Sequence, residues 1–289
     1  MTGAPALVNE EQAMTYMARE TLRVRHRPRL RLVQVAEVEQ LSPAMRRVVF
    51  EGPELAGFES ASPDDHVKLF LPAPGQARPT LPVMGADGPV FPAGVEQPAV
   101  RDYTPRRFDA AACRLSIDMV LHGTGPGASW AAQAARGQCV GIGGPRSSVL
   151  VPDNYDFYLL AGDETALPAM ARFLEEMQPG VRAAALIEVA DAREVRYLPT
   201  AANAEVIWLF RDGRPAGGMA LLEAALRDTA LPRSATHAWI AGEIEVARHL
   251  RGLLMTEAGL PRGRIRAAGY WRIGVPGAHV RIDDEPTST

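Results

Sequence analysis

The sequence predicts two domains of different class, an antiparallel β-sheet or barrel followed by an open, parallel α/β sheet. Three observations carry that prediction. The chain has 289 residues, enough for two domains at roughly 100–200 residues each. Between about residues 28 and 150, short β-rich runs are separated by Gly, Pro, Asp and Ser clusters, the punctuation of an antiparallel sheet. From about residue 155, apolar strands alternate with segments of helical periodicity, which argues for a parallel sheet covered on both faces.

Taken in order, the strands expected in the first half are Arg29–Glu37, Met45–Glu51, His66–Leu71, Arg101–Arg106, Leu115–His122 and Cys139–Gly143. Residues 72–98 are rich in Pro and Gly without periodicity and read as a long surface loop. A helix is expected over Trp130–Arg136, with Gly137 placed to end it. In the second half Phe157–Ala161 is a strand, and Leu167, Met170, Ala171, Leu174 and Met177 recur at helical spacing. Strands Ala184–Ala190, Glu205–Phe210 and His237–Ala241 follow, with helices around Met219–Arg227 and Ile244–Glu257. Residues 1–27 and 281–289 are expected to be terminal extensions, the first able to pack as a helix. The two domains then occupy residues 28–152 and 153–280.

Composition excludes several function classes. A net charge of -3 with no basic run gives no footing for nucleic acid. No apolar stretch approaches the ~18 residues of a membrane span, and the acidic N-terminus lacks a signal-peptide pattern. A cytoplasmic protein, monomeric and free of membrane, is expected. Cys113 and Cys139 are too few for a disulfide scaffold or an iron–sulfur cluster, so any redox chemistry needs a bound organic cofactor.

The most informative segment is Arg101-Asp102-Tyr103-Thr104-Pro105-Arg106. Side chains alternate along a strand, so Arg101 and Tyr103 project together with Thr104 next door. A flavin needs a cation for its pyrophosphate, an aromatic neighbour for its ring and a hydrogen-bonding group near N5. An ordinary polar strand can carry the same four residues. A second segment adds weight. A strand containing Asp118, Val120 and His122 runs into Gly123-Thr124-Gly125-Pro126-Gly127-Ala128-Ser129, just before the helix. Unpaired N–H groups and the positive dipole end at such a turn form an anion site, and small residues at 127–129 let phosphate oxygens approach the backbone. A capped structural helix is the alternative for this stretch.

Together these residues resemble the siderophore-interacting protein family, FAD-binding ferric-siderophore reductases of the ferredoxin–NADP reductase-like superfamily. The resemblance extends to Gly144-Pro145-Arg146, to His66-Val67-Lys68-Leu69, and to Ala161-Gly162-Asp163-Glu164-Thr165-Ala166-Leu167-Pro168. It continues at Trp239-Ile240-Ala241-Gly242-Glu243 and Gly269-Tyr270-Trp271-Arg272-Ile273-Gly274, so that residues 30–274 are covered in the family's order. The resemblance implies a Greek-key β-barrel that binds FAD, followed by a Rossmann-like domain for NADPH or NADH. It implies FAD contacts from Arg101, Asp102, Tyr103, Thr104, Asp118, Val120, His122, Gly125, Pro126, Gly127, Ala128 and Ser129. It implies an electron path from the nicotinamide through FAD to a ferric siderophore, with Fe(II) released for iron assimilation and no protein acid or base required.

The turn after Phe157–Ala161 lacks the G-x-G-x-x-G spacing, and its two carboxylates repel a diphosphate. Asp163 and Thr165 are therefore expected near the nicotinamide or as helix caps. Trp271 is expected near the flavin, at the siderophore pocket, or as a buried structural residue. Arg193, beside Asp191 and Glu188, leaves the choice between NADH and NADPH open. An anionic ferric siderophore calls for a basic dock, for which Lys68, Arg106, Arg262, Arg264, Arg266 and Arg272 are candidates. The histidines form no metal-binding cluster, and direct iron ligation by the protein is not expected. Two other readings stand beside this one: a flavin-dependent electron donor to another protein, and a siderophore carrier without turnover.

Overall fold

The computed structural model describes residues 19, 21–85, 88–232, 235–275, 277 and 280–282. Most of the expected extensions at 1–27 and 281–289 lie outside the described residues. The chain divides into two compact units, Arg25–Ser148 and Val149 onward, the latter joined by the residues before Arg25.

The first unit is built on strands β1 (Leu30–Ser42), β2 (Met45–Glu51), β3 (Val67–Leu71), β4 (Ala99–Tyr103), β5 (Arg107–Asp109), β6 (Arg114–Val120) and β7 (Cys139–Gly143), with helix α1 (Pro126–Gln133). They form one antiparallel sheet in the order β4-β3-β7-β1-β2-β6-β5, so strands distant in sequence lie side by side, as in a Greek key. The sheet curls into a half-barrel. Its two ends, β4 and β5, belong to one stretch of chain joined by Thr104-Pro105-Arg106, and the Arg106 N–H donates to Ser116 O at 2.9 Å. Alternation puts Val33, Val35, Val48, Phe50, Leu69, Leu115, Ile117, Met119 and Ile142 into the core. Trp130 of α1 closes one end of that core by stacking on Phe50, ring centroids 6.2 Å apart.

Helix α1 starts four residues before the expected Trp130, because Pro126 at its first turn is preorganised for a helix start. Gly137 does not end it; four residues beyond Gln133, its N–H instead donates to Val35 O at 2.8 Å. The expected loop over residues 72–98 contains a small hairpin, Val83–Gly85 with Gly88–Val90. Leu81 lies over Gly141, where a Cβ would meet its Cδ2 at 2.3 Å.

The second unit carries β8 (Phe157–Asp163), α2 (Leu167–Glu176), β9 (Arg182–Val189), β10 (Asn203–Phe210), α3 (Ala220–Asp228), β11 (Thr236–Glu243), α4 (Ile244–Thr256), β12 (Ile265–Trp271) and the short β13 (Val280–Arg281). The sheet order is β10-β9-β8-β11-β12-β13, parallel except for the last pair. Both faces are covered, which explains the unbroken burial of β8 and β11. Leu159, Leu186 and Ile240 face Leu222, Leu226, Leu250 and Leu254 of α3 and α4. On the opposite face Phe173 of α2 packs against Trp239 at 5.2 Å.

Strand β12 was not anticipated from its Arg-, Ala- and Gly-rich sequence. Small residues are needed there because α4 passes close by: a Cβ on Gly269 would sit 2.1 Å from Ile244 Cγ1. Among the described residues no helix is long and apolar enough to cross a membrane.

Candidate functional site

In the first unit the candidate site forms where β4 meets the start of α1. Residues Arg101 and Tyr103 lie on the same face of β4, two positions apart. Gly127, in the first turn of α1, lies against both. A Cβ there would be 2.4 Å from Tyr103 Oη and 3.5 Å from Arg101 Cγ, so a side chain at this position would displace the Tyr103 hydroxyl. The helix cap is Gly125, and no side chain bonds the first-turn N–H groups. Arg101, the Tyr103 phenol and an uncapped helix start thus converge in one place, where the arginine and the helix N–H groups suit a pyrophosphate and the phenol suits a neighbouring ring. The arrangement fits FAD. Burial pushes the Tyr103 hydroxyl well above its ordinary pKa, Arg101 offsetting part of the rise, so it remains a neutral donor at physiological pH.

Other expected residues fall elsewhere. Asp102 points to the opposite face of β4, where its Oδ1 pairs with Lys68 Nζ at 2.9 Å. Asp118 is buried and held by Arg47 through two bonds of 2.7 and 2.9 Å, with Arg106 Nε at 3.8 Å. Thr104 and Val120 are buried, and His122, Gly125, Pro126 and Ser129 are exposed around the helix start. Arg264 and Arg272 do not share a dock within the second unit. They flank β12 at opposite ends, roughly 25 Å of extended chain apart. Arg272 is exposed, with Glu245 at 3.5 Å.

In the second unit the strand order reverses between β8 and β11, and a crevice outside the carboxyl ends at such a switch point is where open α/β sheets take their ligands. Asp163 closes β8 at that point. Its Oδ2 accepts from Trp271 Nε1 at 2.7 Å and from the Glu243 N–H at 3.2 Å. Its Oδ1 accepts from the Thr165 N–H at 2.9 Å and from the Thr165 hydroxyl. Neither Asp163 nor Thr165 caps α2, whose cap is Ala166. Burial, and then Glu164, raise the Asp163 pKa, while the bonds from Thr165 and Trp271 pull it back down. Glu243 caps α4, accepting from the Glu245 and Val246 N–H groups at 2.6 and 3.1 Å, which fills that helix start with a carboxylate.

Residue Arg211, just past β10, carries no motif and was not singled out from sequence. It makes two bonds to Glu164, at 2.7 and 2.6 Å, and reaches Glu188 at 3.3 Å. Glu188 sits beside Asp163 in the register of β8 and β9, and its Oε2 is buried without a hydrogen-bond partner. Burial pushes the Glu188 carboxyl up to about 7; Arg211 pulls it down, and Asp163 and Glu164 push it up. Because the folded pKa lies above the ordinary 4.5, this group favours the folded state fully below that value. The contribution is lost as pH rises through about 7. Replacing Glu188 with Gln should therefore stabilise the protein at pH 8, by up to about 3 kcal/mol, and leave it nearly unchanged at pH 4.5. Urea unfolding of both proteins across that range measures it, and a difference independent of pH would overturn the assignment.

Comparisons with known proteins agree with this geometry. Residues 34–149 match the family model for the siderophore-interacting FAD-binding domain, and residues 155–274 match that for siderophore-interacting protein. The chain is 35% identical to an NADPH-dependent ferric-chelate reductase of Escherichia coli over 254 residues, covering 86% of this chain and 95% of the relative. It is 30% identical to the ferric vibriobactin reductase of Vibrio cholerae, covering 84% of this chain and 90% of the relative. Among solved structures, a siderophore utilization protein from T. fusca superposes with a TM-score of 0.81 at 41% identity, covering 90% of this chain and 98% of the other. With an antiparallel half-barrel, a parallel α/β unit behind it in sequence, and both family models matched in order, the chain belongs to the siderophore-interacting protein family.

Proposed function

We propose that this chain is an FAD-dependent reductase that takes electrons from NADPH or NADH and delivers them to ferric siderophores. The observation that carries this reading is the convergence of Arg101, Tyr103 and the uncapped start of α1 around Gly127. In this reading residues 28–152 bind FAD and residues 153–280 bind the nicotinamide cofactor. Bound FAD supplies the conversion between a two-electron donor and a one-electron acceptor. Arg101 and the N–H groups of Gly127 and Ala128 bind its pyrophosphate, while Tyr103 and Thr104 orient the ring. Asp163, Thr165 and Trp271 receive the nicotinamide end at the switch point. Lys68 and Arg106 of the first unit are proposed to offer positive charge to an anionic siderophore; Arg264 and Arg272 of the second unit are separate candidates. Fe(II) binds hard oxygen ligands far more weakly than Fe(III), so reduction alone releases the metal, and no side chain need move a proton. The related reductases named for a ferric chelate and for ferric vibriobactin support this substrate class. We place the protein in the cytoplasm as a monomer.

Anaerobic stopped-flow tests the proposal. NADPH or NADH is mixed with the FAD-loaded protein and the flavin absorbance followed, and a panel of ferric siderophores is then added. Bleaching by the nicotinamide and recovery on adding an iron complex are expected. A flavin that no nicotinamide bleaches, or that no ferric complex reoxidises, would overturn it.

A further inference from the structure

The Asp163 carboxylate joins three strand ends. It lies on β8, accepts the Glu243 N–H from the end of β11, and accepts the Trp271 indole N–H from the end of β12. Two glycines keep the space around this joint clear. A Cβ on Gly242, whose φ is +150°, would lie 2.8 Å from Asp163 Oδ2. A Cβ on Gly217, at φ +85°, would lie 3.2 Å from Trp271 Cη2 and 2.9 Å from Ile273 Cδ1. The indole is thus fixed at its nitrogen by one carboxylate and approached at its six-membered ring by backbone without a side chain. Its only polar atom is already committed, so what it offers at the switch-point crevice is an aromatic face. The ring itself is half-buried.

We propose that Asp163 is a positioning residue, holding Trp271 as a fixed stacking wall against which a planar, cationic or neutral nicotinamide ring lies. This deepens the reductase reading and rests on it. A preset aromatic wall stabilises the bound donor because the indole need not be ordered on binding. A face without a free donor selects a flat ring by stacking. The negative face of the indole also suits the positive charge of an oxidised nicotinamide.

The test replaces Asp163 with Asn. The amide is the same size, and it cannot accept from Thr165, Trp271 and Glu243 together, because one of its atoms becomes a donor. Protein labelled with 5-fluorotryptophan places a reporter on each tryptophan, and Trp271→Phe identifies which ¹⁹F resonance is Trp271. We expect that resonance to shift on titrating NADP⁺ or NAD⁺ into the wild type, and to be displaced and insensitive to either nucleotide in Asp163→Asn. In steady-state kinetics the KM for the nicotinamide should rise about tenfold in Asp163→Asn and in Trp271→Phe, with FAD content unchanged. The double variant should be no worse than either single one, since Asp163 acts through Trp271. A Trp271 resonance unmoved by Asp163→Asn would overturn the proposal, as would additive effects in the double variant. If Asp163→Asn fails to fold, Trp271→Phe alone decides: an unchanged KM for the nicotinamide overturns the wall. Failure of the reductase reading would look different, with wild-type flavin left unbleached by either nucleotide while the resonance still responded to Asp163.

Discussion

Replacing Gly162 with alanine is expected to cost about 3 kcal/mol or more of stability. The added Cβ would fall 2.3 Å from the carbonyl oxygen of Ala241 and 2.7 Å from the Ala166 Cβ. The first is backbone of the neighbouring strand, paired directly with Gly162 in the parallel register. No rotamer change relieves such a contact, so β8 and β11 must separate at the switch point. Gly252, in the middle of α4, is the control: a Cβ there meets nothing within 4 Å. Gly252→Ala should be neutral or stabilising by up to about 1 kcal/mol, since alanine is the better helix former. Urea midpoints of the two variants measure the contrast. Equal midpoints would mean that the strands are not as closely spaced as described.

The second large effect is on cofactor retention. Replacing Arg101 with Ala should weaken FAD binding by 10- to 100-fold, corresponding to roughly 1.5–3 kcal/mol for one charge-assisted contact to phosphate. Arg101 Nη1 donates to Val100 O at 2.8 Å, which directs the rest of the guanidinium along the face it shares with Tyr103. Arg101→Lys should recover only part of the loss, because a lysine supplies the charge without the fork of donors. Titration of apoprotein with FAD, followed by flavin fluorescence, reads this directly. Unchanged affinity in Arg101→Ala would remove the residue from the cradle. Its fold should persist, since Arg101 is half-buried and its guanidinium bonds the carbonyl of the adjacent residue.

Some of this was legible in the sequence, for physical reasons that can be named. Met45–Glu51 and Cys139–Gly143 match the observed strands end for end, because each is a short β-prone run bracketed by turn formers. The helix from Leu167 was legible because its apolar stripe repeats at 3.6 residues. Strand β12 was not, since Gly269 and its alanines answer to the closeness of Ile244, a tertiary demand that leaves no periodic trace. Within the candidate sites, Arg101 and Tyr103 could be paired from alternation alone. The contact of Gly127 with both could not, because it joins elements more than twenty residues apart. Asp118 shows the converse. Its motif position suggested a cofactor contact, while its carboxylate is taken up by Arg47, a residue from β2 with no motif of its own. Arg211 stayed invisible for a similar reason: its partners Glu164 and Glu188 come from two other strand ends.

The joining of both sheet ends by one stretch, residues 99–109, has a consequence for how the first unit breathes. A curled sheet with free edges can fray at either edge independently. Here the two edges are one ribbon, so the half-barrel behaves like a hoop fastened by a single buckle, and Arg101 and Tyr103 are part of that buckle. Anything that loosens Thr104-Pro105-Arg106 opens the hoop and spreads the cradle in the same motion. Whatever the cradle grips in turn keeps the hoop shut. On the proposed role of Arg101 and Tyr103, retention of the flavin and cohesion of the strands become one property of this unit, and the loaded form should resist local opening at residues 99–109 more than the empty one.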